Sequence, residues 1–257
     1  MRIIGKSAGY ARQFSGNSLK AELQRLVDYD KITKYKIMAK IYWAGQSCFE
    51  ISVSNSKDHE ANIVIDPFDE EKTGLKLPNM TADIVLITHD HNDHNNIKDV
   101  KGAPFVIQGP GEYEVKEVFI QGISSFHDDV NGKEKGQNTI YVFEVEEMRF
   151  CHLGDLGQKQ LTDEQLEKID KVDILMIPVG GGYTIDSTIA QKIISQIEPK
   201  IVIPMHYSLP KLKVKLDEVS KFLKTMGKPN ITPQEKFTVK MSGLPNEEAM
   251  EIVVLQP

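Results

Sequence analysis

The 257-residue sequence is poor in the features that mark several protein classes. It holds only two cysteines, Cys48 and Cys151, in a chain long enough to bury a core without staples, which excludes a disulfide scaffold and points to a reducing, cytoplasmic setting. It has no run of about 18 apolar residues, and charge interrupts the opening Met1-Arg2-Ile3-Ile4-Gly5-Lys6 before an export-type segment can form. Neither a membrane span nor secretion is expected. Basic charge is not in excess, since 31 Lys and Arg stand against 37 Asp and Glu for a net of −6, and a polyanion has no general attraction to such a surface. No repeat or low-complexity tract interrupts the chain, and 40% hydrophobic residues exclude disorder.

The charge that is present is unevenly placed. Residues 1–40 carry nine Lys and Arg against three Asp and Glu, leaving 22 against 34 in the other 217. Residues 1–38 therefore read as a separate basic extension, with one weak amphipathic stretch from Leu19 to Val27 and a second methionine, Met38, at its end. Two readings stand: a start codon assigned too far upstream, or a basic helical arm that packs on the domain or a neighbour. From Lys40 onward, β-branched and aromatic runs alternate with turn residues. Strands are expected at Ile41 to Trp43, Cys48 to Val53, Asn62 to Ile65, Ile84 to Thr88, Pro104 to Gln108, Val115 to Gly122, Thr139 to Val145 and Met148 to Leu153. A hairpin at Glu146-Glu147 joins the last two. Asn95 to Val100 reads as helix-like.

Further helices follow in the second half. Thr162 and Gln165 form a capping box, Asp186 caps Ser187 to Ile197, and Leu216, Val219, Phe222, Leu223 and Met226 repeat at helical spacing. Apolar runs of strand length, Val172 to Val179 and Lys200 to Met205, lie between them. An α/β fold of two sheets with helices outside is the economical architecture.

The densest chemistry is Thr88-His89-Asp90-His91-Asn92-Asp93-His94, placed at the end of an apolar strand. Imidazole and carboxylate are the ligands that borderline and hard divalent metals take. His89 and His91, two apart on an extended segment, can face one metal, and Asp93 and His94 can serve a second. Three adjacent histidines in a merely solvated turn would repel one another once protonated. Only four other histidines exist, His59, His127, His152 and His206. His127, His206 and the glycine-flanked Asp155 each follow a strand, which places them at the rim of a common cleft. His152 lies three residues before Asp155, so on a regular strand the two face opposite ways, favouring a supporting or core role for His152. His59 reads as a solvated turn residue. Asp128 or Asp129 either orients His127 or sits in solvent, and Glu112 reads first as a turn acid. Tyr183 and Thr184 read as a helix start or as a substrate-contacting loop.

In order and spacing these residues resemble the metallo-β-lactamase superfamily, a family of αβ/βα-sandwich metallohydrolases. The resemblance covers roughly residues 39–257. It implies a four-layer αβ/βα sandwich and a dinuclear site in which His89, His91 and His127 hold one metal, Asp93, His94 and His206 the second, and Asp155 bridges them. Trp43-Ala44-Gly45-Gln46-Ser47-Cys48-Phe49, Ile65-Asp66-Pro67, Gly109-Pro110-Gly111-Glu112-Tyr113, Pro178-Val179-Gly180-Gly181 and Pro204-Met205-His206-Tyr207 look like the branch that contains L-ascorbate-6-phosphate lactonase, in which His often stands at the place of Gln46.

Two divalent ions about 3.5–4 Å apart supply hydroxide near neutral pH and polarise the oxygen under attack, so no protein nucleophile is needed. Asp93 would orient that hydroxide. Zinc is the first expectation for the two ions, and manganese and iron are admitted by the nitrogen and oxygen donors. The expected activity is hydrolysis of a small ester, lactone or phosphodiester. The alternatives are a nuclease of the tRNase Z type, disfavoured by the acidic body, and a metal-binding or sensing protein without turnover. The expected partner is a small-molecule substrate, with no membrane, and a homo-oligomer is left open.

Overall fold

Period-two alternation builds the first sheet of the protein, for which a computed structural model describes residues 38–54, 60–145, 147–246 and 249–257. All of the 1–38 extension but Met38, and His59, lie outside the described residues. Strands β1 (Met38–Gly45), β2 (Cys48–Ser54) and β3 (Glu60–Ile65) form an antiparallel meander, to which β5 (Ile84–Ile87) and then β7 (Phe105–Gln108) add in parallel and β14 (Phe237–Lys240) pairs antiparallel with β1. Ile41, Trp43, Phe49, Ile51, Ile63, Ile65, Ile84 and Leu86 face the main core, whereas the alternate residues Cys48, Val64, Val85 and Ile87 face a smaller one outside. This outer core is closed by Phe68, Leu77, Met80 and Val100. Apart from β5, their segment carries α1 (Glu70–Thr73), a 3₁₀ turn (Ile97–Asp99) and a small ribbon of β4 (Met80–Thr81) with β6 (Val100–Lys101).

The second sheet has seven strands in the order β15-β13-β12-β11-β10-β9-β8, namely Glu251–Ile252, Ile201–Met205, Ile174–Pro178, Met148–His152, Gln137–Val145, Val118–Phe126 and Gly111–Val115. Its parallel members β12 and β13 are buried at every residue, as strands covered on both faces are. Helices α2 (Asp163–Ile169), α3 (Ser187–Ile197) and α4 (Val219–Thr225) supply that cover through Ile169, Ala190, Ile193, Ile194, Ile197, Phe222 and Leu223. The Thr162–Gln165 capping box and the Asp186 cap form as expected. The result is the α/β, four-layer αβ/βα arrangement, with a thinner outer layer on the first sheet than on the second.

Two expectations need correction. Asn95 to Val100 is not an α-helix but a single 3₁₀ turn, Ile97–Asp99. The Asn96 side chain donates to the Phe68 carbonyl and to Asp99, and such local side-chain bonds compete with helix propagation. Val115 to Gly122 is not one strand but the close of β8 and the start of β9, joined by a two-residue turn at Lys116-Glu117 with φ of 51° and 60°. That is the primed hairpin geometry, hidden because neither residue is the Asn or Gly that advertises it.

The two sheets are tied together where the histidine motif begins. The buried Tyr141 hydroxyl, from β10, donates to the Ile87 carbonyl at 2.9 Å, and the Thr139 amide donates to the Thr88 carbonyl at 2.9 Å. Deeper in, Phe143 and Phe150 stack at 4.8 Å between β10 and β11, both essentially solvent-free. Phe150→Ala removes that buried ring and is expected to lower the unfolding free energy by about 3–5 kcal/mol, measured by urea titration with metal chelated. A loss below about 1 kcal/mol would contradict the packing described.

Candidate metal centre

Every candidate side chain follows the end of a strand. Asp66 follows β3, the histidine motif follows β5, His127 follows β9, Asp155 lies past β11, and His206 follows β13. These ends converge on Asp155. Its Oδ2 lies 3.3 Å from His94 Nε2, 3.4 Å from His127 Nε2 and 3.3 Å from His206 Nε2, while Oδ1 accepts from the Ser47 hydroxyl at 2.8 Å. Burial works to raise the Asp155 pKa, but His206 and His94 outweigh it and hold the carboxyl well below its usual range.

The other ends of the histidines decide which nitrogen is presented. Asp66, fully buried with φ +48°, accepts from the Thr88 amide at 2.8 Å and the Thr88 hydroxyl at 2.7 Å. With its proton committed to Asp66, the Thr88 oxygen must accept from His89 Nδ1 at 2.9 Å. His94 Nδ1 lies 3.0 Å from Asp66 Oδ2, to which it donates. Both rings are thereby fixed with Nδ1 protonated and Nε2 free to coordinate. His89 Nε2 and His94 Nε2, with His127 Nδ1 and His206 Nδ1, are buried nitrogens with no hydrogen-bond partner among the described residues. A carboxylate behind a ligating imidazole is the arrangement that orients such ligands for a metal.

Two groups of donors come within 4.8 Å of one another, His89, His91 and His127, and His89, His94 and Asp155. Nitrogen and carboxylate donors with orphaned lone pairs fit a divalent cation. His89 belongs to both groups, whereas the sequence resemblance gives it to one metal. Asp93 lies at the edge, its carboxylate 3.7 Å from His94 Nε2 and 30% exposed, and His206 reaches the cluster through Asp155. His91 is exposed, so the cluster opens to solvent on that side. Burial lowers the pKa of both His89 and His91, with His94 and His127 respectively adding repulsion; burial also opposes charge on His94, yet Asp155 and Asp66 raise it well above the usual value.

His152 is turned away. Its Nε2 donates to the Ser47 carbonyl at 2.9 Å and its Nδ1 accepts from the Gly154 amide at 3.1 Å, so both nitrogens serve the backbone. Asp128 accepts from the amides of Val130, Gly132, Glu134 and Lys135 and shapes that loop, without a bond to His127. Asp129 pairs with Lys159. Glu112 lies beside Tyr113 and Phe119, away from the cluster, whereas Tyr183 lines the cleft in front of it with Lys135.

Supporting residues escaped sequence reasoning. Asn138 donates from Nδ2 to the Leu153 carbonyl at 2.9 Å and accepts the Asp155 amide on Oδ1 at 3.0 Å, clamping the turn that carries Asp155. A Cβ at Gly154, whose φ is +57°, would collide with that Asn138 oxygen and with Thr88. Nothing in the strand pattern marks Asn138, whereas Ser47 and Asp66 stand in segments shared with the resembled branch but carry no expected role there.

The beta-lactamase superfamily domain model matches residues 40–206. The chain belongs to the metallo-β-lactamase superfamily. A protein from Thermotoga maritima described as a Zn-dependent hydrolase of this superfamily shares 35% identity and a TM-score of 0.64, over 85% of this chain and 100% of that one. Among curated proteins, the UPF0173 metal-dependent hydrolase of Staphylothermus marinus is 29% identical over 231 residues, 78% of this chain and 99% of that protein. That of Thermoplasma volcanium is 29% identical over 194 residues, 66% of this chain and 83% of that protein. This metallo-β-lactamase superfamily member is accordingly a metal-dependent hydrolase.

If Asp66 orients His94 and His89 as the hydrogen bonds indicate, Asp66→Asn is expected to weaken zinc binding by about 10–100-fold in a chelator competition. Unchanged affinity would show that the Asp66 carboxylate does not support the centre.

Proposed function

We propose that the protein hydrolyses a small ester, lactone or phosphodiester at a dinuclear centre, with His89, His91 and His127 holding one divalent ion, Asp93, His94 and His206 the other, and Asp155 between them. The observation that carries this reading is the convergence of three imidazole Nε2 atoms on the buried Asp155 Oδ2 within 3.4 Å. Zinc suits the donor set, which manganese and iron also fit. When bound, such a pair supplies Lewis acidity and an activated water.

The chain's own groups do the rest. Ser47 and Asn138 hold the Asp155 side chain and backbone in place, while Asp66 keeps the His94 and His89 rings aligned. Asp93, partly exposed at the mouth of the cleft, would orient the attacking water toward the reacting carbon or phosphorus. A cleft of about 440 Å³, reached past His91, Asp93, Lys135 and Tyr183, suits a small molecule. Cysteine nucleophiles have no place in it, because Cys48 and Cys151 are fully buried and burial pushes both thiols upward. The solvent-open His91 favours turnover over a closed structural site. No helix is long and apolar enough to cross a membrane among the described residues. Two free, buried cysteines accord with a cytoplasmic setting.

Elemental analysis of the purified protein and of His91→Ala, with hydrolysis of bis(p-nitrophenyl) phosphate and of γ-butyrolactone assayed on both, tests the reading. The expectation is about two ions per wild-type chain, fewer in the variant, and turnover of at least one substrate reduced about 10²-fold or more in the variant. A folded protein that takes up no metal, or takes it up and turns over neither substrate, would overturn the proposal.

A further inference from the structure

Gln46 lines the cleft beside the metal donors without being one of them. It is fully buried, and neither its amide nitrogen nor its amide oxygen has a hydrogen-bond partner among the described residues. An unpaired buried polar group costs about 1–3 kcal/mol, so both amide atoms are free to bond a group that is not part of the chain. Gln46 is one of the residues that line the cleft, together with Asp155 and His206.

The backbone keeps it there. The Gln46 carbonyl accepts from Trp43 Nε1 at 2.9 Å and from the His206 amide at 3.0 Å, coupling the β1–β2 turn to the residue after β13. Trp43 is fixed in turn by its contact with Tyr207, ring centroids 4.6 Å apart. Gln46 also sits at φ +50°, in a turn where glycine or asparagine would be at ease. Two other non-glycine residues of the centre share that conformation, Asp66 at +48° and His206 at +50°, and both are committed to the histidine–carboxylate cluster. Strain of this kind gathers where a side chain must be aimed.

Resting on the hydrolase reading above, we propose that the Gln46 amide contacts the substrate, its Nε2–H donating to the carbonyl or phosphoryl oxygen on which negative charge grows during attack. An amide is neutral and a donor at every working pH, so it stabilises the developing anion without adding charge beside the metals. The ligand class is a tetrahedral or planar oxygen group, of which inorganic phosphate is the simplest inert example.

The test compares wild type with Gln46→Met, which keeps the length and removes the amide. Because the amide is unpaired in the protein alone, the metal-free variant is expected to melt at the same temperature or higher, and zinc content is expected to be unchanged. Inorganic phosphate is expected to bind the zinc-loaded variant roughly tenfold more weakly by calorimetry, and kcat for bis(p-nitrophenyl) phosphate to fall about 10²–10³-fold with little change in KM. A lower melting temperature would make Gln46 structural, a lower zinc content would make it a metal ligand, and unchanged phosphate affinity with unchanged kcat would remove it from the reaction; each overturns the proposal. The two readings fail separately. Weaker phosphate binding in a protein that hydrolyses nothing sustains Gln46 as an oxygen-binding group and ends the hydrolase reading, whereas hydrolysis indifferent to Gln46→Met does the reverse.

Discussion

A carboxylate removed from water must be compensated, and the structure depends on how Asp155 is. With 2% of its surface exposed, it lies in a setting where an isolated charge is costly, and three imidazoles and one hydroxyl surround it. Those four groups come from four strand ends in two different sheets, so the sandwich must close before the charge is answered. Site assembly therefore requires the closed sandwich. The ties between Thr139 and Thr88 and between Tyr141 and Ile87 lie at that meeting point.

Aim, rather than proximity, distinguishes this cluster from a casual gathering of histidines. Thr88 and Asp66 decide the tautomers of His89 and His94, and a buried carboxylate behind the ring raises the basicity of the nitrogen in front. The same logic excludes His152, which is as buried as the others but has both nitrogens engaged by backbone. Burial alone is thus a poor guide to ligation here; the state of each nitrogen is the better one.

Much of this was legible in the sequence because it is local. The histidine run marks itself by composition, and apolar runs ending in His127, Asp155 and His206 announce strand ends. β-Branched and aromatic runs placed β2, β3 and β5 to within two residues, whereas β1 begins three residues before the expected Ile41, at Met38. What stayed hidden is long-range or conformational. Asn138 acts through a bond to a residue 17 positions away, and Ser47 through one 108 away, which no periodicity records. The Lys116-Glu117 turn and the Asn95–Asn96 segment were misread because left-handed backbone and side-chain competition override the propensities of the residues involved.

The central claim is that Asp155 lies between two metal positions. Crystals grown with zinc, measured on both sides of the zinc absorption edge, test it directly. The account predicts two anomalous peaks about 3.5–4 Å apart, each about 2.0–2.2 Å from an Asp155 oxygen, one also coordinated by His89, His91 and His127 and the other by His94 and His206. A single peak, or peaks that leave Asp155 uncoordinated, would contradict it.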